Sequence, residues 1–311
     1  MDGRTLNLYT IAVYKIIFLV FGTVGNTLFI HLIIRKKQLQ SRTSILQCFQ
    51  CFFHLFCQFG PIMDGVFDIG SMYNREQCFN RVAFYVFFQA AQGLIMVVIV
   101  ADILIFVRFP IFYRSLSTTV YICVTAIPVL AFAGFTTFYG YLSKNKDWIP
   151  SCSPPFLFTS EASIAYKYLF IFFSVIVMAF YLILIRTFNH RRQSNDKNSL
   201  KTVKRLQLSV IIFFFTWFFS QVFGLVVLTI TEYSVSGGMI FAHNSLFVCL
   251  SYSNTFYVTI WRSKEYREQF YSVWWPKKKQ ASTIPIFHTS FTSPKPSNPD
   301  LTSTRRHHQY P

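Results

Sequence analysis

Acidic side chains are scarce in this sequence. Only 12 aspartates and glutamates stand against 29 lysines and arginines, and charged residues make up 13% of the 311 positions. So little charge excludes a disordered chain and an ordinary soluble enzyme. No phosphate loop, zinc-ligand spacing or nucleophile–base set is present, so no catalysis, metal or cofactor is expected. No Asn-x-Ser/Thr sequon occurs, and glycosylation therefore says nothing about sidedness. No internal repeat is evident, which weighs against an inverted-repeat transporter. Cysteine is absent after Cys249, which excludes a palmitoyl anchor in the C-terminal segment.

What the chain has in abundance is long apolar runs. Seven of them cover residues 9–34, 44–69, 79–107, 119–142, 163–188, 206–231 and 238–261. Each is close to or above the ~20 residues a helix needs to cross ~30 Å of hydrocarbon. None has a polar face that would suit a water-soluble amphipathic helix. The fold class is therefore all-α, a seven-transmembrane-helix bundle. Of the 29 lysines and arginines, 22 fall in the segments 35–43, 108–118, 186–205 and beyond 261. Basic residues in short connections stay cytoplasmic, so the N-terminus is expected outside and the C-terminus inside. An odd number of spans requires the same opposition.

The formal net charge of +17 would suggest nucleic acid in a soluble protein. Here the whole excess lies on the expected inner side, where it suits anionic lipid or an acidic cytosolic partner. No nucleic-acid partner is expected. The short lead before the first run reads as part of an uncleaved signal-anchor, because that run is too long for a signal-peptide core and ends in Arg35-Lys36-Lys37. Beyond Trp261, Tyr266, Phe270 and Tyr271 recur at helical spacing among charges, which predicts a short amphipathic helix along the inner membrane surface. Trp274, Trp275 and Lys277-Lys278-Lys279 form an interfacial anchor. Residues 1–275 are expected to be one domain, and 276–311, rich in Ser, Thr and Pro, a disordered cytoplasmic tail.

Five of the seven cysteines, Cys48, Cys51, Cys57, Cys123 and Cys249, lie inside apolar runs and read as small hydrophobes. Cys78 and Cys152 fall on the expected outer side, which is oxidising. A disulfide between them would pin the 143–162 loop over the mouth of the bundle; the alternative is two unpaired thiols.

The third run opens near Cys78 and closes at Asp102-Ile103-Leu104, with Pro110, Tyr113 and Arg114 beyond. Here the chain resembles the rhodopsin-like G-protein-coupled receptors, in which a cysteine opens the third helix and an Asp-Arg-Tyr-type triplet closes it. Asp102 matches the acid of that triplet, whereas Ile103 stands where the arginine belongs. Gly25-Asn26 resembles the first-helix Gly-Asn pair, and His54 lies at or near the site of the second helix's buried aspartate. Trp217 resembles the sixth-helix tryptophan, with Phe219 in place of the following proline. Asn254-Thr255-Phe256-Tyr257 stands for the seventh-helix Asn-Pro-x-x-Tyr, without the proline and with the tyrosine one place early. Leu46-Gln47-Cys48, Pro110-Ile111-Phe112-Tyr113-Arg114, Cys152-Ser153-Pro154-Pro155 and Arg262-Ser263-Lys264-Glu265-Tyr266-Arg267 are similar to nematode serpentine chemoreceptors, the Srsx class nearest, over about residues 10–275. The 38 phenylalanines are also similar to that group.

The resemblance implies a chemosensory receptor at the plasma membrane, multi-pass, in sensory-neuron cilia, with a heterotrimeric G protein and a small-molecule ligand as partners. It assigns activation and coupling to Asp102, Pro110, Tyr113, Arg114, Trp217, Asn254 and Tyr257. Two other readings stay open: a ligand-gated odorant-type channel, and a receptor-like protein that has lost coupling because of Ile103.

Tyr85, Gln89 and Gln92 recur at helical spacing along the third run. They either face a ligand or pack and bond inside the bundle. No carboxylate lies between Cys78 and Asp102, so a salt-bridged amine ligand is disfavoured. His54 and His243 are ionisable groups at membrane depth. His54 reads as a neutral histidine hydrogen-bonded in the bundle, and His243 as a ligand contact near the mouth. Lys15 and Lys167 are expected to snorkel to the outer interface. The seventh run has no lysine, which excludes a retinal Schiff base there. Arg191, Arg192, Lys197, Lys201, Lys204 and Arg205 are either a G-protein contact or topological charge.

Overall fold

Apolar side chains predominate in every run, and in hydrocarbon a helix satisfies its own backbone. The computed structural model describes residues 3–63, 72–191, 208, 211–231 and 235–275. The expected tail 276–311, Arg192, Lys197, Lys201, Lys204 and Arg205 lie outside the described residues, as do Lys277-Lys278-Lys279.

The helices are α1 (Gly3–Arg35), α2 (Arg42–Met63), α3 (Arg75–Arg108), α4 (Pro110–Ser115), α5 (Thr118–Leu142), α6 (Pro154–Leu157), α7 (Ser160–Arg191), α8 (Phe219–Thr231), α9 (Val235–Arg262) and α10 (Lys264–Trp274). A π-helical stretch, Phe214–Phe218, leads into α8. Two short antiparallel strands, β1 (Tyr73–Asn74) and β2 (Trp148–Ile149), pair Tyr73 with Ile149 and Asn74 with Trp148.

Among the described residues, six helices are long and apolar enough to cross a membrane: Thr5–Arg35, Arg42–Met63, Arg75–Arg108, Thr118–Leu142, Ser160–Phe188 and Ile211–Ile230. The seventh member of the bundle, α9, is more polar, because Asn244, Ser251 and Ser253 are turned inward and buried. Side chains such as Val13, Ile17, Val20, Val124, Ile127 and Phe135 are exposed on the bundle's outside, the face that lipid covers.

Helix α3 is the axis. It packs on α2, α5, α7 and the short α6, while α1 packs on α2 and α9, and α8 joins α7 to α9. Close approach of α1 and α9 needs Gly25, since a Cβ there would stand 2.8 Å from the Tyr257 ring. Asn26 beside it is buried and donates to the Tyr252 carbonyl at 3.0 Å.

The predicted amphipathic helix is α10, capped by the Ser263 hydroxyl, which accepts from Tyr266 N–H. Its inward residues are Tyr266, Phe270 and Val273, against a cluster containing Phe29, Leu32 and Phe256. Tyr271 is exposed and so lies off the packed face that the sequence pattern gave it.

Candidate functional site

At the Cys78 end, the loop between α5 and α7 forms a roof. Cys78 and Cys152 are joined in a disulfide, both almost fully buried. Asn74 caps α3 by accepting from Glu76 and Gln77 N–H and donates to the Lys146 carbonyl at 3.2 Å. Arg75 reaches the Asn145 amide oxygen at 2.6 Å and the Asp147 carboxylate at 3.1 Å. Lys144 pairs with Glu76 at 3.3 Å. The roof is therefore tied to the start of α3 by a covalent bond, a strand pair and two ion pairs.

Beneath it lies a cavity of about 30 Å³, lined by Tyr85, Gln89, Lys167, Phe241, Asn244 and others, with Ser153, Pro154 and Pro155 above. Of the sequence candidates, Tyr85 and Gln89 line it. Tyr85 packs its ring over Gly60, where a Cβ would come within 2.3 Å. Gln89 accepts from the Tyr166 hydroxyl at 3.0 Å. Gln92 is buried deeper and donates to the Met96 sulfur at 3.1 Å. His243 is exposed and does not line the cavity. Each residue turns a helix by ~100°, so its neighbours Ala242 and Asn244 face inward instead. Lys15 and Lys167 do not snorkel. They are 1% and 3% exposed, and Lys167 donates to Gln221 at 3.1 Å.

From the cavity a run of packed side chains descends the bundle. Tyr166 and Phe170 have ring centres 4.6 Å apart, Phe170 and Trp217 5.9 Å, and Trp217 and Tyr252 6.1 Å. Trp217 is buried within the π-helical stretch. That irregularity occupies the place where the resemblance would put a proline kink, and π-bulges are frequent at functional sites. His54 lies 5.2 Å from Tyr252. Both its ring nitrogens lack a hydrogen-bond partner among the described residues, so the expected hydrogen bond is replaced by ring contact.

At the Asp102 end, Asp102 is buried and accepts from the Thr43 hydroxyl. Ile103 packs on the core. Pro110 opens α4 and is exposed, as is Arg114, while Tyr113 is buried. Arg42 at the head of α2 donates to the carbonyls of Tyr113 and Leu116 and to the Thr118 hydroxyl at 3.3 Å. Its guanidinium lies 4.4 Å from the Tyr113 ring centre and 5.4 Å from that of Tyr121, within cation–π range. Burial, then the neighbouring Asp102 carboxylate, pushes the Tyr113 hydroxyl up to about 12.

A second cavity, about 130 Å³, opens near this end and is lined by Gln47, Gln50, Thr216, Asn254 and Arg262 among others. Asn254 faces it. Tyr257 does not. Its ring stacks on Phe21 with centres 4.4 Å apart, and its hydroxyl donates to the Phe21 carbonyl at 2.9 Å. The tyrosine comes three residues after Asn254 rather than four, and that one-place shift turns it onto α1, while Val258 lines the cavity. Sequence reasoning passed over Arg42, Asn244 and Tyr252. Their only signal was polarity within or beside an apolar run.

The family model described as serpentine type 7TM GPCR chemoreceptor Srsx matches residues 19–274. Comparison with curated proteins gives no match.

Proposed function

Because the chain belongs to the Srsx family of serpentine seven-transmembrane chemoreceptors, and is therefore a multi-pass membrane receptor of chemosensory type, we propose that it binds an external small molecule at the Cys78 end and couples to a heterotrimeric G protein at the Asp102 end. The observation that carries this reading is the cavity under a roof tied to α3, with Tyr85, Gln89, Lys167 and Asn244 among its lining, separated along the bundle from a second cavity at the other end. In this reading the Cys78 end faces outside, in agreement with 22 of 29 basic residues on the opposite side.

Tyr85 and Gln89 contact the ligand. Trp217 stands on the packed route between the two ends. Asp102, Pro110, Tyr113, Arg114 and Asn254 form or flank the surface that meets the G protein, and Tyr257 supports it through its packing on α1. The ligand shifts the population toward a state open at the Asp102 end, and only by its differential affinity for the two states. The receptor resides in the plasma membrane, in sensory-neuron cilia.

The test is ligand-dependent G-protein signalling in a heterologous cell with confirmed surface expression. Silence to a broad chemical panel counts against the proposal. A response that Tyr85→Ala and Trp217→Ala abolish without loss of surface protein supports it. One observation favours a second reading: Ile103 stands where the resemblance implies an arginine. If coupling has been lost, Ile103→Arg gains signalling; unchanged signalling shows that coupling does not depend on that position.

A further inference from the structure

Lys167 is a buried cation that the roles assigned so far do not use. Its ammonium has three donors. One meets the Gln221 amide oxygen at 3.1 Å, and the Phe241 ring centre lies 5.2 Å away. Among the described residues it pairs with no carboxylate. Burying a charge away from water is costly unless it is paired.

The surroundings are built for a negative group. Gly224 faces the ammonium: a Cβ there would stand 3.0 Å from Lys167 Nζ and 3.2 Å from Asn244 Nδ2. Glycine is required there for close packing, because a Cβ would crowd the ammonium, the Asn244 amide and the Phe241 ring; Asn244 Nδ2 itself donates to the Ser220 carbonyl at 3.0 Å. Gln221 and Asn244 are each 1% exposed, and Gln221 Nε2 has no partner among the described residues. Lys167 and Asn244 both line the cavity under the roof, with Tyr85 and Gln89 across from them.

Resting on the receptor reading above, we propose that the ligand carries a carboxylate, which pairs with Lys167 between α7, α8 and α9 and accepts from Gln221 Nε2. A cation that pairs with no carboxylate among the described residues gains one from the ligand. The rest of the ligand is apolar and lies toward Pro61, Phe241 and Val248. At about 30 Å³ the cavity has room for little more than water. Binding therefore widens it, which gives the ligand its preference for one state of the bundle.

The test uses the full chain in lipid nanodiscs with matched probes: butanoate, hexanoate and octanoate, and the alcohols and amines of the same lengths. The readout is the shift in thermal unfolding temperature with probe concentration. At least one carboxylate should stabilise the protein where its alcohol and amine do not. Lys167→Gln should weaken that carboxylate more than about tenfold, the scale for truncating one partner of a buried charge pair, and Lys167→Arg should recover part. Gly224→Ala keeps the charge but crowds the ammonium, and should also weaken binding; it decides the matter if Lys167→Gln does not fold.

Carboxylates that give no shift, or shifts that the alcohols match or that survive both Lys167→Gln and Gly224→Ala, overturn the proposal. Signalling separates the two ideas. Neutral compounds that activate the wild type and Lys167→Gln alike leave the receptor standing and sink the carboxylate. Carboxylate binding through Lys167 without any G-protein response does the reverse.

Discussion

Arg42 illustrates what one side chain does in this chain. From sequence it is one of the basic residues that set topology. In the structure it is a strut that holds the backbone of α4 and the turn after it through two carbonyls and a hydroxyl while lying over two tyrosine rings. Arg42→Ala should lower stability by about 1.5–3 kcal/mol, the range for hydrogen bonds to charged groups, read as thermal unfolding in detergent. Arg42→Lys should recover little, because an ammonium cannot reproduce the planar fork. An unchanged unfolding temperature in Arg42→Ala would show that the strut carries no load. Tyr113 beneath it gives a pH test. Burial raises its hydroxyl from the ordinary tyrosine range to about 12, so the folded state favours the neutral phenol. That contribution is fully present below about pH 10 and is lost as pH rises through about 12. Alkaline unfolding should therefore begin earlier in the wild type than in Tyr113→Phe, which has no proton to lose. Neither role was legible in the sequence, because both depend on which residues of α2, α3 and α4 meet.

The helices themselves were legible, since long apolar runs leave hydrocarbon few alternatives, and Cys78 and Cys152 were paired correctly from their shared side. What the pattern left open was rotational phase. His243 and Asn244 differ by one position, yet one is exposed and the other buried; in an apolar run both faces look alike until the neighbours are placed. Tyr257, one place early relative to Asn254, shows the same effect, because its ring turns onto Phe21 of α1. The roof tests how far the covalent tie matters. Its ion pairs include exposed partners such as Asp147, and such pairs are individually weak. The disulfide closes a separation of 74 residues, and loss of a disulfide typically costs about 2–4 kcal/mol. Cys152→Ser should lower stability by that amount, read as a fall in the unfolding temperature, and reduce surface expression. If expression and unfolding match the wild type, β1–β2 and Arg75 suffice to hold the roof.

At the scale of the whole molecule, the bundle has two different ends. The Cys78 end carries a tied roof and a buried lysine; the Asp102 end carries Arg42, α4, α10 and the wider polar cavity. The charge count predicts which side each end faces: 22 of 29 basic residues fall in the segments 35–43, 108–118, 186–205 and beyond 261. Basic residues near span ends resist translocation, so the chain is predicted to insert with its N-terminus outside. The disulfide agrees, because bonds of that kind persist where the compartment is oxidising. An epitope tag at the N-terminus should stain intact cells, and a tag after residue 275 should stain only after permeabilisation. The opposite pattern would place Cys78–Cys152 in a reducing compartment and the proposed G-protein surface outside the cell. That outcome would abandon the receptor orientation in favour of the inverted, channel-like reading, and the ligand site under the roof would then face the cytoplasm.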